Sequence, residues 1–284
     1  MTGTKTDSLT GGHDISPEMV AKAIDALTAI VSQAAAATLA TPLSEVAQRS
    51  KTDLSPVTSA DEASEAVILE GLSRLLPGIP VVSEESLDLA PAEIRGSAAI
   101  VDPLDGTKEF LAGRDEFTVN VAIVTRGVPI AGFIAAPAQG LLWRGVIGQS
   151  VERLRLRWSD GHVYERCAIR ARPAPERLMV ATSRTHLDER TEKLLARLPL
   201  AERYPCGSSI KFCHVAQGDA DLYPRLSPTH EWDIAAGCAI LAAAGGVVTD
   251  PQGAPLQFGR SAEKYLIPAF IAWGDPTRAA AFKA

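Results

Sequence analysis

The run Ala98-Ala99-Ile100-Val101-Asp102-Pro103-Leu104-Asp105-Gly106-Thr107 constrains this chain more than any other stretch. Four small or branched apolar residues read as a buried strand, and the strand ends in two carboxylates three positions apart, followed at once by Gly-Thr. One reading is a strand running into a turn, since Asp-Pro and Asp-Gly are both common turn dipeptides. The other is a cation site with a phosphate cradle beside it. "IPVVSEES" follows the same plan: a short β-rich run at Val81–Ser83 that ends in Glu84 and Glu85.

The pattern around that run predicts an α/β organisation. Helices are expected at about 16–40 and about 61–76, the second stopped by Pro77-Gly78. From Phe117 to Val146, β-branched and small residues alternate around a Gly-Val-Pro turn, as in a hairpin or meander. Residues 151–176 carry β-type alternation, a Ser-Asp-Gly turn and then Pro173 and Pro175, and the linker is expected there. Beyond it, strands at "RLMVATSR", "ADLYPR" and "GVVTDPQG" alternate with helices at 187–198, "SSIKFCHVAQG" and "WDIAAGCAILAAAGG". The expected division is a loose tail over 1–15, an α+β half over 16–150, a linker or insertion over 151–176 and an α/β half over 177–284.

With 284 residues, 46% of them hydrophobic, the chain can bury a large core. A net charge of −6 argues against binding polymeric nucleic acid, which calls for a strongly basic face. A small anionic substrate would need local cations instead. The apolar segment from Val20 to Ala40 is interrupted by Lys22, Asp25, Ser32 and Gln33, so it reads as the helix of a soluble protein, not an integral membrane segment. The polar start shows no signal-peptide pattern. Cys167, Cys206, Cys213 and Cys238 form no CxxC pair, which reads as free thiols and a cytoplasmic location.

Five acidic residues stand at element ends: Asp61, Glu84, Asp102, Asp105 and Asp233. Each alone has an ordinary explanation. Asp61 completes a capping box from Thr58, Glu84 is surface charge, and Asp233 caps the helix that follows it. Together they offer the oxygen ligands that Mg²⁺ takes, and paired cations can clamp the attacking and leaving oxygens of a phosphate ester. The Leu104 carbonyl between the two aspartates is a further ligand candidate. The Gly106 and Thr107 amides, beside a helix expected to start near Lys108, would hold the phosphate. Gly106 lets the backbone come close to it.

"SPVTSAD", "SEES", "VDPLDGTKEF" and "WDIAAGCAILAAAGG" together resemble the lithium-sensitive, Mg²⁺-dependent inositol monophosphatase superfamily, from Ser50 to Gly253. The resemblance implies a layered α/β/α/β/α sandwich of the inositol monophosphatase and fructose-1,6-bisphosphatase type, joining an α+β half to an α/β half. It also implies two or three Mg²⁺ ions on Glu84, Asp102, Leu104 (by its carbonyl), Asp105 and Asp233, with a water oriented by Asp61 and Thr107. Lys108-Glu109 after Thr107, and the stretch from Gly207 to Arg225, resemble the 3′(2′),5′-bisphosphate nucleotidase branch.

In that branch Ser208, Lys211 and Arg225 match positions that hold the nucleotide's phosphates, and Arg184 lies near the adenosine site. His186 is taken as structural. The implied reaction is removal of the 3′-phosphate of adenosine 3′,5′-bisphosphate, extending to its 5′-phosphosulfate form, in a monomer or homodimer. Three alternatives stay open on the residues alone. Lys211 and Arg225 also read as a solvated face, the substrate could be inositol monophosphate or a sugar bisphosphate, and the chain could be an inactive regulator. The Arg-rich segment 141–176 matches the family least.

Overall fold

The structure, a computed structural model, describes residues 14–41, 48–50, 56–91, 94, 96–184, 187–198 and 200–282. Of the expected tail over 1–15, residues 1–13 lie outside the described residues, as does His186. Ile15 is not loose, being buried with its amide donating to Ser97 Oγ at 2.8 Å. In chain order the first elements are α1 (Pro17–Ala40), β1 (Gln48–Ser50), β2 (Pro56–Thr58), α2 (Ser59–Leu75), β3 (Val81–Ser83), β4 (Ser97–Asp105) and α3 (Thr107–Leu111). Then come β5 (Thr118–Thr125), β6 (Val128–Ala136), β7 (Leu141–Val146), β8 (Ser150–Arg157) and β9 (His162–Ala168). The remainder is β10 (Met179–Thr182), α4 (Glu189–Ala196), β11 (Glu202–Pro205), α5 (Ile210–Ala216), β12 (Leu222–Arg225), β13 (Thr229–His230) and α6 (Glu231–Ala243). β14 (Val247–Thr249), β15 (Leu266–Ile267), β16 (Phe270–Trp273) and α7 (Pro276–Ala281) complete it.

Two sheets organise these elements. The first has seven strands in the order β3-β4-β5-β6-β7-β8-β9, with β3 parallel to β4 and every later pair antiparallel. The second has five, in the order β11-β10-β12-β16-β14. Helices α1 and α2 cover one face of the first sheet, burying Leu27, Val31, Ile68 and Leu72 against Val101, Val121 and Phe133. Its other face packs on α6, which with α5 fills the space between the sheets. Leu194 and Leu195 of α4, with α7, cover the outer face of the second sheet. The result is the five-layer α/β/α/β/α sandwich expected from the sequence. Because both faces of β4 are covered, Ala98–Val101 is a continuous apolar run and not an alternating one.

Local chemistry explains the helix starts. Ser16 caps α1 by accepting from the Met19 amide, and Pro17 needs no donor partner in the first turn. Helix α1 is long and apolar enough to cross a membrane, yet Val20, Leu27, Val31, Ala34 and Ala35 are buried within this fold. Thr58 caps α2, which therefore begins at Ser59, two residues before the expected start. Asp188 caps α4 by accepting from the Thr191 amide at 3.0 Å, so that helix is shorter than the apolar pattern suggests.

The expected linker is corrected by the first sheet. Residues 150–157 and 162–168 are β8 and β9, a hairpin that pairs onto β7, and the run that joins the two sheets is 169–178. The alternation visible in the sequence is a strand signal, and Pro173 and Pro175 mark the true connection. Strands β11, β13, β15 and β16 go beyond the expected elements; each has only two to four residues, too short for a periodic pattern to register.

Close approach of α6 to the first sheet depends on Gly132. A Cβ there would lie 2.1 Å from the Ala236 carbonyl oxygen, a backbone atom that cannot rotate away. Gly132→Ala is therefore expected to destabilise the fold by about 1–3 kcal/mol, read as a lowered urea midpoint. An unchanged midpoint would mean that α6 packs less tightly on β6 than this geometry shows.

Candidate active site

Residues three apart on a regular strand face opposite sides of a sheet. Asp102 and Asp105 do not, because β4 carries a bulge between them. Asp102 stands opposite Asn120 and Asp105 opposite Thr118, so three steps on β4 match two on β5. Pro103 lies inside the bulge, where a missing amide donor costs nothing. Both carboxylates are thereby turned toward α6, whose first turn brings Asp233. One oxygen from each of Asp102, Asp105 and Asp233 lies within 4.8 Å of the others.

Hydrogen bonds hold all three, two of them through a hydroxyl as well as an amide. Asp233 accepts from the His230 amide at 3.0 Å and from the Thr229 hydroxyl. The helix does not follow it as expected but starts at Glu231, with His230 as N-cap and Asp233 closing a capping box from the first turn, which also aims its carboxylate. Asp105 accepts from the Ser209 amide at 2.7 Å and from the Ser208 hydroxyl. Asp102 is 1% exposed, its Oδ1 accepting from the Leu104 amide at 3.0 Å, while Oδ2 is buried with no protein partner.

Burial, and then repulsion from Glu84, Asp105 and Asp233, push the Asp102 carboxyl well above the ordinary carboxylate range. Asp105 is raised by burial and by Asp233. Asp233 is raised by burial and by Glu84, against the Thr229 hydrogen bond and the Arg225 charge. An all-oxygen donor set with an orphaned buried acceptor and uncompensated negative charge fits a hard divalent cation. Asp102, Asp105, Asp233 and Glu84 are the residues that could hold it.

Asp61 and Thr107 meet beside this cluster. Asp61, 1% exposed, completes the α2 capping box: its Oδ2 accepts from the Thr58 amide at 2.8 Å and the Thr58 hydroxyl at 2.6 Å. Its Oδ1 lies 3.4 Å from Thr107 Oγ1, whose hydroxyl also reaches the Leu104 carbonyl at 3.2 Å. The Leu104 side chain is buried with Ala60, Phe110 and Phe117, which anchors the bulge. Gly106 caps α3 at φ +89°, a left-handed conformation that glycine adopts without strain.

A cleft of about 360 Å³ opens over the cluster, lined by Glu84, Asp105, Gly106, Thr107, Ser208, Lys211, Arg225 and Asp233 among others. Eight of the sequence-derived candidates thus share one wall or floor, with Asp61, Asp102 and Leu104 directly behind. Lys211 is only 4% exposed, so the solvated-face reading fails for it. Its ammonium donates to the Ser208 carbonyl at 2.6 Å and lies 5.2 Å from the Tyr223 ring centre. Arg225 donates to the Pro228 carbonyl at 3.2 Å.

Arg184 stands beside Ser183, which lines the cleft. Arg184 itself does not line the cleft, and its guanidinium binds both oxygens of Glu116 at 2.8 and 2.7 Å. Sequence reasoning also missed Thr118, Asn120 and Ser209. Thr118 Oγ1 lies 2.8 Å from Ser209 Oγ, which donates to Asn120 Oδ1 at 2.7 Å, tying α5 to the first sheet. The available signal was two polar residues at i and i+2 in the otherwise apolar start of β5.

A five-layer sandwich with a carboxylate cluster at the end of a bulged strand defines a class of protein recognisable in known sequences. The chain belongs to the inositol monophosphatase family, whose profile matches residues 16–275. It is 42% identical over 231 residues to the 3′(2′),5′-bisphosphate nucleotidase CysQ of Escherichia coli (strain K12), covering 78% of this chain and 86% of that protein. The corresponding protein of Haemophilus influenzae is 29% identical over 238 residues, covering 79% and 82%. Among solved structures, CysQ from Bacteroides thetaiotaomicron superposes with a TM-score of 0.72 at 33% identity, over 88% of this chain and 97% of that one.

The cluster generates a test that needs no substrate. Because the folded carboxyl values are raised, the stability these groups contribute without a cation is intact below the ordinary carboxylate range. It is lost as pH rises through the folded values. A cation replaces those protons, so the rise in Tm on adding Mg²⁺ should grow as pH rises above the ordinary carboxylate range. Asp105→Asn should remove most of that rise in differential scanning fluorimetry.

Proposed function

We propose that this chain is a Mg²⁺-dependent phosphatase that removes the 3′-phosphate of adenosine 3′,5′-bisphosphate, and of its 5′-phosphosulfate form, leaving AMP or its sulfated analogue. The observation that carries this reading is the juxtaposition in one cleft of a buried carboxylate cluster and two cations, Lys211 and Arg225, among its lining residues. The CysQ relatives support the nucleotide bisphosphate as substrate.

The cation would supply Lewis acidity and neutralise charge on the ester phosphate. Asp102, Asp105, Asp233 and Glu84 would hold it, with the Leu104 carbonyl as a further donor. The Gly106 and Thr107 amides donate to the transferring phosphate's oxygens. Thr107 Oγ1 and Asp61 Oδ1 orient a water for in-line attack, and Asp61 takes the proton that this water loses. Ser208 steadies Asp105, and Arg225 offers a planar fork to the phosphate that is not cleaved. Lys211, buried in the cleft lining, adds positive charge there. No covalent phosphoenzyme is required, and the buried thiols have no part: burial pushes Cys206 up to about 11.

Phosphate release from adenosine 3′,5′-bisphosphate, inositol 1-phosphate and fructose 1,6-bisphosphate, each with and without Mg²⁺, tests the assignment. A clear preference for either of the last two would replace the nucleotide reading. Asp61→Asn should lower kcat about 10²- to 10⁴-fold while leaving the Mg²⁺ dependence unchanged. Rescue by excess Mg²⁺ would instead make Asp61 a ligand.

Arg225→Gln tests the second phosphate. Loss of one charge-assisted contact is worth about 1.5–3 kcal/mol, so kcat/KM for the bisphosphate should fall about 10- to 150-fold. A slow monophosphate substrate should be nearly unaffected. Equal losses on both would remove Arg225 from substrate recognition.

A further inference from the structure

Glu116 lies between α3 and β5, outside the cleft lining, yet it touches both glycine turns that flank the cleft. Its backbone carbonyl is 3.2 Å from where a Cβ on Gly106 would stand and 3.0 Å from the same point on Gly207. Its carboxylate accepts from the Gly207 amide at 3.0 Å and is gripped on both oxygens by Arg184. One residue therefore sits between the turn at Gly106-Thr107 and the turn at Gly207-Ser208-Ser209. Neither glycine can carry a side chain without moving it.

The turn it holds is unusual. Ser208 adopts φ +51°, a left-handed conformation that a non-glycine residue keeps only when its surroundings impose it. Four groups do so: the Glu116 carboxylate on the Gly207 amide, the Lys211 ammonium on the Ser208 carbonyl, the Asp105 carboxylate on the Ser208 hydroxyl and Ser209 amide, and the Thr118 hydroxyl against those of Ser208 and Ser209. Glu116 and Thr118 stand outside the cleft lining, and of these two only Glu116 carries a charge.

We propose that Glu116, steadied by Arg184, is a positioning residue for this site: it sets the gap between the two turns and, through Ser208 and Ser209, the placement of Asp105. This rests on the phosphatase reading above. It also gives Arg184 a different role from direct contact with the nucleotide. Weakening the clasp would loosen the phosphate cradle and the cation site together, since Asp105 is shared by both.

The test compares Glu116→Ala, Glu116→Gln and Arg184→Ala with the wild type by steady-state kinetics and by the Mg²⁺ concentration that gives half the maximal rise in Tm. Glu116→Ala should raise both KM for adenosine 3′,5′-bisphosphate and that Mg²⁺ midpoint by about tenfold, the loss of one charge-assisted hydrogen bond. Glu116→Gln keeps an oxygen for the Gly207 amide and should recover most of the loss. Arg184→Ala leaves the Gly207 bond in place, so its smaller effect should be equal on mono- and bisphosphate substrates.

A lower Tm in Glu116→Ala with wild-type KM and Mg²⁺ midpoint would reduce the clasp to a stability element and overturn the proposal. A loss in Arg184→Ala confined to the bisphosphate would overturn it too, by returning Arg184 to the substrate. Should Glu116→Ala fail to fold, Arg184→Ala decides: an unchanged KM and Mg²⁺ midpoint, or a loss confined to the bisphosphate, overturns it equally. If the wild type turns over another ester and not the nucleotide, the functional reading fails by itself. The clasp is then decided on that ester and on the Mg²⁺ midpoint.

Discussion

The interaction on which this fold's chemistry depends is the mutual repulsion of carboxylates held out of water. Asp102, Asp105 and Asp233 crowd within a few ångströms, with Glu84 adding to the field, and one buried oxygen of Asp102 has no protein donor. Such an arrangement is unfavourable on its own account. It persists because the surrounding fold over-determines it. The bulge at Pro103, the capped start of α6 and the donors from Ser208, Ser209 and Thr229 leave the acids nowhere else to point.

Helix α6 links that local problem to the global architecture. It is apolar around most of its circumference, as a helix buried between two sheets must be, and it lies close to β6 because Gly132 carries no side chain. Its packed body is therefore a rigid mount for Asp233 at its first turn. The hydroxyl chain from Asp105 through Ser208, Thr118 and Ser209 to Asn120 joins the other side of the site to the first sheet. Both halves of the chain thus meet at the acids, and disturbing either half reaches them.

The acids are legible in the sequence because metal chemistry restricts residue type and element ends restrict position. Asp61, Glu84, Asp102, Asp105 and Asp233 can each be explained singly, and only their joint occurrence points to a cation. The cations are harder. Lys211 shares α5 with Ile210, Phe212 and Val215, and nothing in that pattern says that its ammonium folds back onto the Ser208 carbonyl. Arg184 can be assigned to the nucleotide by resemblance, but its partner Glu116 is 68 residues away, and a pairing at that separation leaves no mark on local sequence. The hairpin β8–β9 is visible as alternation, yet it falls where a linker was expected, since periodicity reports a strand but not the sheet it joins.

By itself the sequence determined the class of fold, the helices with strong caps, and the acids at the ends of β3 and β4 and in the first turns of α2 and α6. These follow from short-range rules: periodicity, turn chemistry and the oxygen ligands that a hard cation takes. Tertiary structure alone decided that a one-residue bulge turns Asp102 and Asp105 to the same face. It also decided that Lys211 is buried, that Arg184 binds Glu116, and that Gly106 and Gly207 close on the same residue. The physical reason is common to all four. Each depends on the register or packing of segments distant in the chain, and the energy that settles it resides in contacts that exist only once those segments have met.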